Sequence, residues 1–118
     1  MTLYAALFYT EDLDWSAPEQ AARRAQWRPF RAEAGQSYVG GQALYPTATA
    51  TVVRVVGGRG GDVVTSDGPY AETKEALTGF ALLECADLAE AVALAAKVPA
   101  AWNGAVEIRP VIVGLAGE

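Results

Sequence analysis

A chain of 118 residues fits one domain, and by the size scaling of folded proteins it buries roughly two-thirds of the surface its unfolded form exposes. A net charge of −5, with Arg and Lys scattered rather than striped, excludes the counterion-releasing surface of a direct nucleic-acid binder, and one cysteine excludes an internal disulfide and points to a reducing compartment. Met1-Thr2-Leu3-Tyr4 carries no basic secretory region, and no apolar run nears the roughly 18 residues of a membrane span, so the expected setting is cytoplasmic, without membrane contact.

Leu3 to Tyr9 is a short apolar run with aromatics, closed by Glu11-Asp12-Leu13-Asp14, and predicts a buried strand. Ser16-Ala17-Pro18-Glu19 has the Ser and Glu spacing of a capping box with proline in the first turn. It predicts a helix running to about Ala34, stopped by Gly35. Pro29 offers no donor to the carbonyl of Ala25 and crowds that turn, so a kink or break is expected there.

Ser37 to Leu44 reads as a second strand, with a bulge permitted by Gly40-Gly41 and an end at Pro46. From Thr49 to Val56 the residues alternate with period two, Gly57-Gly58-Arg59-Gly60-Gly61 forms a turn, and Asp62 to Ser66 returns as a hairpin partner. The glycine run lacks the Lys-Ser/Thr ending of a phosphate loop. Next comes the corner Asp67-Gly68-Pro69, where Gly68 accepts unusual backbone angles and Pro69 fixes φ. Thr78 to Cys85 is a further strand. Asp87-Leu88-Ala89-Glu90 repeats the cap spacing and opens a helix to Val98 with Leu88, Val92, Ala95 and Ala96 on its inner face, stopped by Pro99. Asn103-Gly104 turns into a last strand, Ala105 to Val113, whose Pro110 marks an edge or a bulge.

With the hairpin set aside, the order is βαββαβ. This is the ferredoxin-like α+β arrangement, an antiparallel sheet with both helices on one face. The opposite face, toward which Tyr4 or Phe80 would point, is best buried by a second copy, so a homodimer is expected.

The run Asp67-Gly68-Pro69-Tyr70-Ala71-Glu72-Thr73-Lys74-Glu75, with Gly35, Gly40-Gly41, Pro46-Thr47-Ala48-Thr49, Gly79-Phe80 and Glu107-Ile108-Arg109-Pro110-Val111 around it, resembles the YCII-related family. The likeness is to its DGPF branch, with Tyr70 in place of the final Phe, and it spans nearly the whole chain. It implies a dimeric α/β-barrel-like assembly of ferredoxin-like subunits with a cleft near the subunit interface. It also implies either an enzyme, since one relative is a dehydrochlorinase acting on an aromatic ring, or an accessory protein linked to an alternative sigma factor. The family's suspected chemistry rests on a His and an Asp, and this chain departs from it by having no histidine, hence no imidazole base near neutral pH.

Two readings follow for the candidate residues. In the catalytic one Asp67 is a general base or ligand-orienting carboxylate, Tyr70 donates to a developing oxyanion, and Lys74 supplies positive charge. In the structural one Asp67 caps the following turn, Gly68-Pro69 sets a corner, and Glu72, Lys74 and Glu75 are a solvated face. Arg54 and Arg109 either bind an anionic ligand or pair with acids. Trp15, Trp27 and Trp102 line a cleft or pack a core. Cys85 reads as a buried structural thiol. With no histidine and one cysteine, no metal or other cofactor is called for, and Glu11, Asp12 and Asp14 read as a solvated turn. The function expected is a small dimeric ligand-binding or regulatory protein, with a lyase-like or isomerase-like enzyme using Asp67 as the alternative.

Overall fold

A computed structural model describes residues 1–115. Among the described residues there are six strands: β1 (Thr2–Thr10), β2 (Tyr38–Ala43), β3 (Thr51–Val56), β4 (Asp62–Asp67), β5 (Ala76–Cys85) and β6 (Ala105–Pro110). Four are antiparallel neighbours in the order β2-β5-β1-β6, and β3 pairs with β4 in a separate two-stranded sheet. Helices α1 (Ala21–Ala25) and α2 (Trp27–Ala34) connect β1 to β2, while α3 (Leu88–Ala95) and α4 (Pro99–Asn103) connect β5 to β6. The architecture is mixed helix and antiparallel strand.

Period-two alternation assigns the two faces of the large sheet. Tyr4, Ala6 and Phe8 of β1 and Ala81, Leu83 and Cys85 of β5 are buried beneath the helices, where they meet Phe30, Ala34, Ala91, Leu94 and Val98. Their neighbours Leu3, Ala5, Leu7, Phe80 and Leu82 face the other way and are only partly buried. Phe80 is on the expected face, whereas Tyr4 is not. It is an even-numbered β1 residue and shares the parity of the core.

Proline chemistry explains how the first helical stretch is divided. Pro18 opens a 3-10 turn (Pro18–Gln20), and the break falls at Gln26, between α1 and α2, rather than at Pro29 itself. Pro29 has no N–H to offer the carbonyl of Ala25, four residues before it, so the ladder parts there and Pro29 occupies the first turn of α2. The predicted Ser16 cap is absent. Ser16 instead donates its N–H and hydroxyl to Asp14 Oδ1 at 2.9 and 2.6 Å, an Asx-type turn that competes with capping. Gly35 ends α2 with φ 51°, as its freedom allows.

In the second half, Asp87 caps α3 by accepting from the Glu90 N–H at 2.9 Å. The inner face of α3, however, consists of Ala91, Leu94, Ala95 and the following Val98, while Leu88 and Val92 are half exposed. The alanines at i and i+4 let the helix approach the sheet closely around Leu94, and Leu88 and Val92 fall outside that face. Pro99 starts α4 instead of merely ending α3, since a first-turn proline forgoes no helical hydrogen bond. Strand β6 ends at Pro110, short of Val113, and is an edge strand as its proline requires.

The hairpin departs most from expectation. Its residues alternate as predicted and β3 starts at Thr51, after a 3-10 turn at Thr47–Thr49. Yet neither face is buried: Val63 on one face is 69% exposed and Val64 on the other 46%. Alternation signals one covered face, and among the described residues nothing covers it. The radius of gyration, 16.4 Å, exceeds the roughly 13 to 14 Å of a compact chain this long, consistent with an arm standing off the body.

Candidate binding cavity

A cavity of about 530 Å³ opens between α2, the loop after β1, and strands β2 and β5. Its floor is a run of edge-to-face aromatics, with ring centroids 5.1 Å apart for Phe8–Trp27, 6.3 Å for Trp27–Phe30 and 6.2 Å for Phe30–Tyr38. Trp27, Phe30 and Arg31 sit at i, i+3 and i+4 on α2 and so share a face. Tyr38 enters from β2, beside Gly41, where a Cβ would stand 2.6 Å from the tyrosine hydroxyl and 2.5 Å from the Phe80 carbonyl oxygen. Glycine at this position leaves room for the tyrosine and for the close pairing of β2 with β5.

Polar groups at the rim hold the loops. Arg24 donates through Nη1 to the carbonyls of Trp15 and Ala17, both at 2.7 Å. Asp12 accepts from the Thr47 N–H at 3.0 Å and from its hydroxyl at 2.5 Å, tying the loop after β1 to the segment after β2. Both Asp12 and Asp14 are held below the ordinary carboxylate range, Asp12 by the Thr47 hydrogen bonds and Asp14 by those of Ser16. The acidic stretch therefore fastens the cavity mouth rather than being only a solvated turn. Deeper, the Thr10 hydroxyl donates to the Glu11 carbonyl at 3.0 Å. The Thr78 hydroxyl then donates to Thr10 across 2.8 Å.

Of the residues singled out from sequence, Trp27 lines this cavity and packs against the core. Trp15 and Asp14 border it as well, whereas the Asp67 corner and the two candidate strand arginines lie elsewhere. Asp67 is the exposed last residue of β4, opposite Thr51. Gly68, with φ 97°, closes the hairpin base through its N–H to the Ala50 carbonyl at 2.9 Å. Tyr70 is exposed, with the Arg54 guanidinium 5.4 Å from its ring centroid, and Lys74 is exposed nearby. Alternation puts Arg54 on the hairpin face opposite to Asp67. Arg109 lies on the open sheet face, paired in register with Ala5.

Trp15 borders the cavity, while Trp102 is largely exposed and donates to the Ala96 carbonyl at 2.8 Å. Cys85 is free and buried, and burial, then the Glu90 and Asp87 carboxylates, pushes its thiol above the ordinary range. Among the described residues no cluster of His, Cys, Asp or Glu is arranged to hold a metal, and no helix is long and apolar enough to cross a membrane. Sequence reading missed Arg31, Tyr38 and Arg24. The spacing of Trp27, Phe30 and Arg31 on one helix face was the available signal.

The model of the YCII-related domain matches residues 2–113. An uncharacterised protein of Rhizobium meliloti (strain 1021) is 36% identical over 125 aligned positions, which take in 98% of this chain and 97% of that protein. The family match covers both loops of the cavity mouth, its aromatic floor and the hairpin, and this chain belongs to the YCII-related family.

Proposed function

We propose that this is a small-molecule-binding protein that works as a homodimer of single-domain, ferredoxin-like subunits over residues 1–118, in the DGPF branch of its family. The observation that carries the binding reading is the aromatic-floored cavity of about 530 Å³, a size within the range of ligand sites. Trp27 is its central wall residue. Asp67 serves as a joint: it ends β4 beside the Gly68 closure and lies apart from the cavity.

The strand order β2-β5-β1-β6 with helices on one face supports the ferredoxin-like description. Two surfaces support the dimer and its barrel-like assembly: the partly buried apolar sheet face and the valine-bearing hairpin, since a lone two-stranded hairpin is marginal in water. A cytoplasmic setting agrees with the unpaired Cys85. A regulatory role alongside an alternative sigma factor fits an acidic protein that meets its partner by protein contact rather than through DNA.

Native mass spectrometry of gently purified protein, coupled to light scattering, tests the reading. The expected result is a dimer that retains a small molecule, with retention lost in the cavity-filling variant Ala43→Trp. A monomer, or retention indifferent to that substitution, refutes the corresponding half. A pull-down from the native cell that recovers no sigma factor refutes the regulatory part.

A further inference from the structure

The chemistry of the ligand follows from which cavity groups are already committed. Asp14 accepts two hydrogen bonds from Ser16, and Arg24 is bonded to two backbone carbonyls. The Thr78 hydroxyl is bonded to that of Thr10 behind the cavity wall. Arg31 differs from all of these. Its guanidinium carbon stands 3.8 Å over the Tyr38 ring centroid, and among the described residues it makes no side-chain hydrogen bond and no ion pair; Glu33 of the same helix pairs instead with Lys97, beyond α3.

Stacking engages the flat face of a guanidinium and leaves its in-plane N–H donors free. Tyr38 therefore orients a donor fork at the rim of the cavity without satisfying it. A carboxylate is the planar acceptor that fits such a fork through two parallel hydrogen bonds. Behind it lie the faces and edges of Trp15, Trp27 and Phe30, which favour a flat conjugated body over a flexible chain because aromatic contacts add to simple area burial.

Building on the binding reading above, we infer that the cavity takes a planar aromatic carboxylate of one or two rings, and that Arg31 pairs with its charge. The probe is 2-naphthoate, titrated into the full-length protein by calorimetry while the indole N–H signals of Trp15 and Trp27 are followed by NMR. The comparison ligands are neutral 2-naphthamide and aliphatic decanoate.

Saturable binding of 2-naphthoate that moves both indole signals is expected. Affinity should fall about tenfold or more with 2-naphthamide, with decanoate, or on Arg31→Gln, the scale of a lost charged hydrogen-bond pair. Arg28→Gln, a neighbouring charge that does not line the cavity, should bind like the parent. Equal affinity for the amide, or for decanoate, overturns the ligand class while leaving a binding cavity. Retained affinity in Arg31→Gln overturns the role of that residue. No binding of any of the three at millimolar concentration overturns the inference, while the binding reading beneath it stands or falls on the small molecule retained by the purified protein.

Discussion

Leu83→Ala tests the two-faced sheet most directly. Leu83 is fully buried on the central strand β5, opposite Tyr4 of β1 and Tyr38 of β2, and belongs to the main core cluster. Truncation removes the transfer energy of the lost methyl groups and leaves a cavity that flanking paired strands cannot readily collapse into. The expected cost is about 3 kcal/mol, within the usual 2 to 5 kcal/mol range for such sites. A domain of this length has a total stability of roughly 6 to 18 kcal/mol. The substitution thus takes a large share, lowering the melting temperature by about 10 °C or more.

Leu82→Ala is the matched control, one residue away and on the open face, where the side chain is only partly buried. In dilute solution, with the protein monomeric, it should cost about 1 kcal/mol or less. At high concentration the proposed dimer covers it, and its cost should rise. Urea unfolding at two protein concentrations, analysed by midpoint and slope, measures both. Equal costs for the two variants in dilute solution, or a Leu83 cost below about 1 kcal/mol, refute the face assignment.

The hairpin is separable by construction, because the Gly68 N–H already meets the Ala50 carbonyl at its base. Excising residues 51–67 should leave the far-ultraviolet signature of the four-stranded body intact while light scattering shows loss of the dimer; an unfolded product refutes this. Asp87→Ala removes the side-chain cap of α3 and should cost about 1 kcal/mol in urea unfolding, with Asp87→Ser recovering most of it. The Asp12 clasp is pH-dependent in a defined direction. The folded pKa lies below the ordinary 3.8, so its contribution is complete above that value and is lost as pH falls through the folded one. In a carbon-detected NMR titration Thr47→Val should bring the Asp12 carboxyl back up toward 3.8. An unchanged midpoint refutes the clasp.

Much of the fold was legible locally. Strand β1, the hairpin with its glycine turn, the Asp87 cap and the Gly35 stop all rest on forces acting within a few residues: period-two alternation, side-chain capping and the conformational freedom of glycine. Where two local signals competed, the reading slipped. Ser16 had the spacing of a cap, but Asp14, two residues before it, claimed its donors. Pro99 had the look of a stop and proved to be a start.

The candidate site was mostly not legible. Glycine and proline make the Asp67 corner conspicuous in sequence, yet the structure uses it to close a hairpin. The cavity is assembled from α2, β2, β5 and two loops distant along the chain, so no spacing rule joins Tyr38 to Trp27 or Asp12 to Thr47. The sequence by itself determined the strand and helix segments, the acidic balance and the family, since these depend on residue type and near neighbours. Only the tertiary structure decided which helix face is buried, which of the two cavity-lining arginines is left with free donors, and where the aromatics converge. Those outcomes depend on packing between remote segments, which no local pattern encodes.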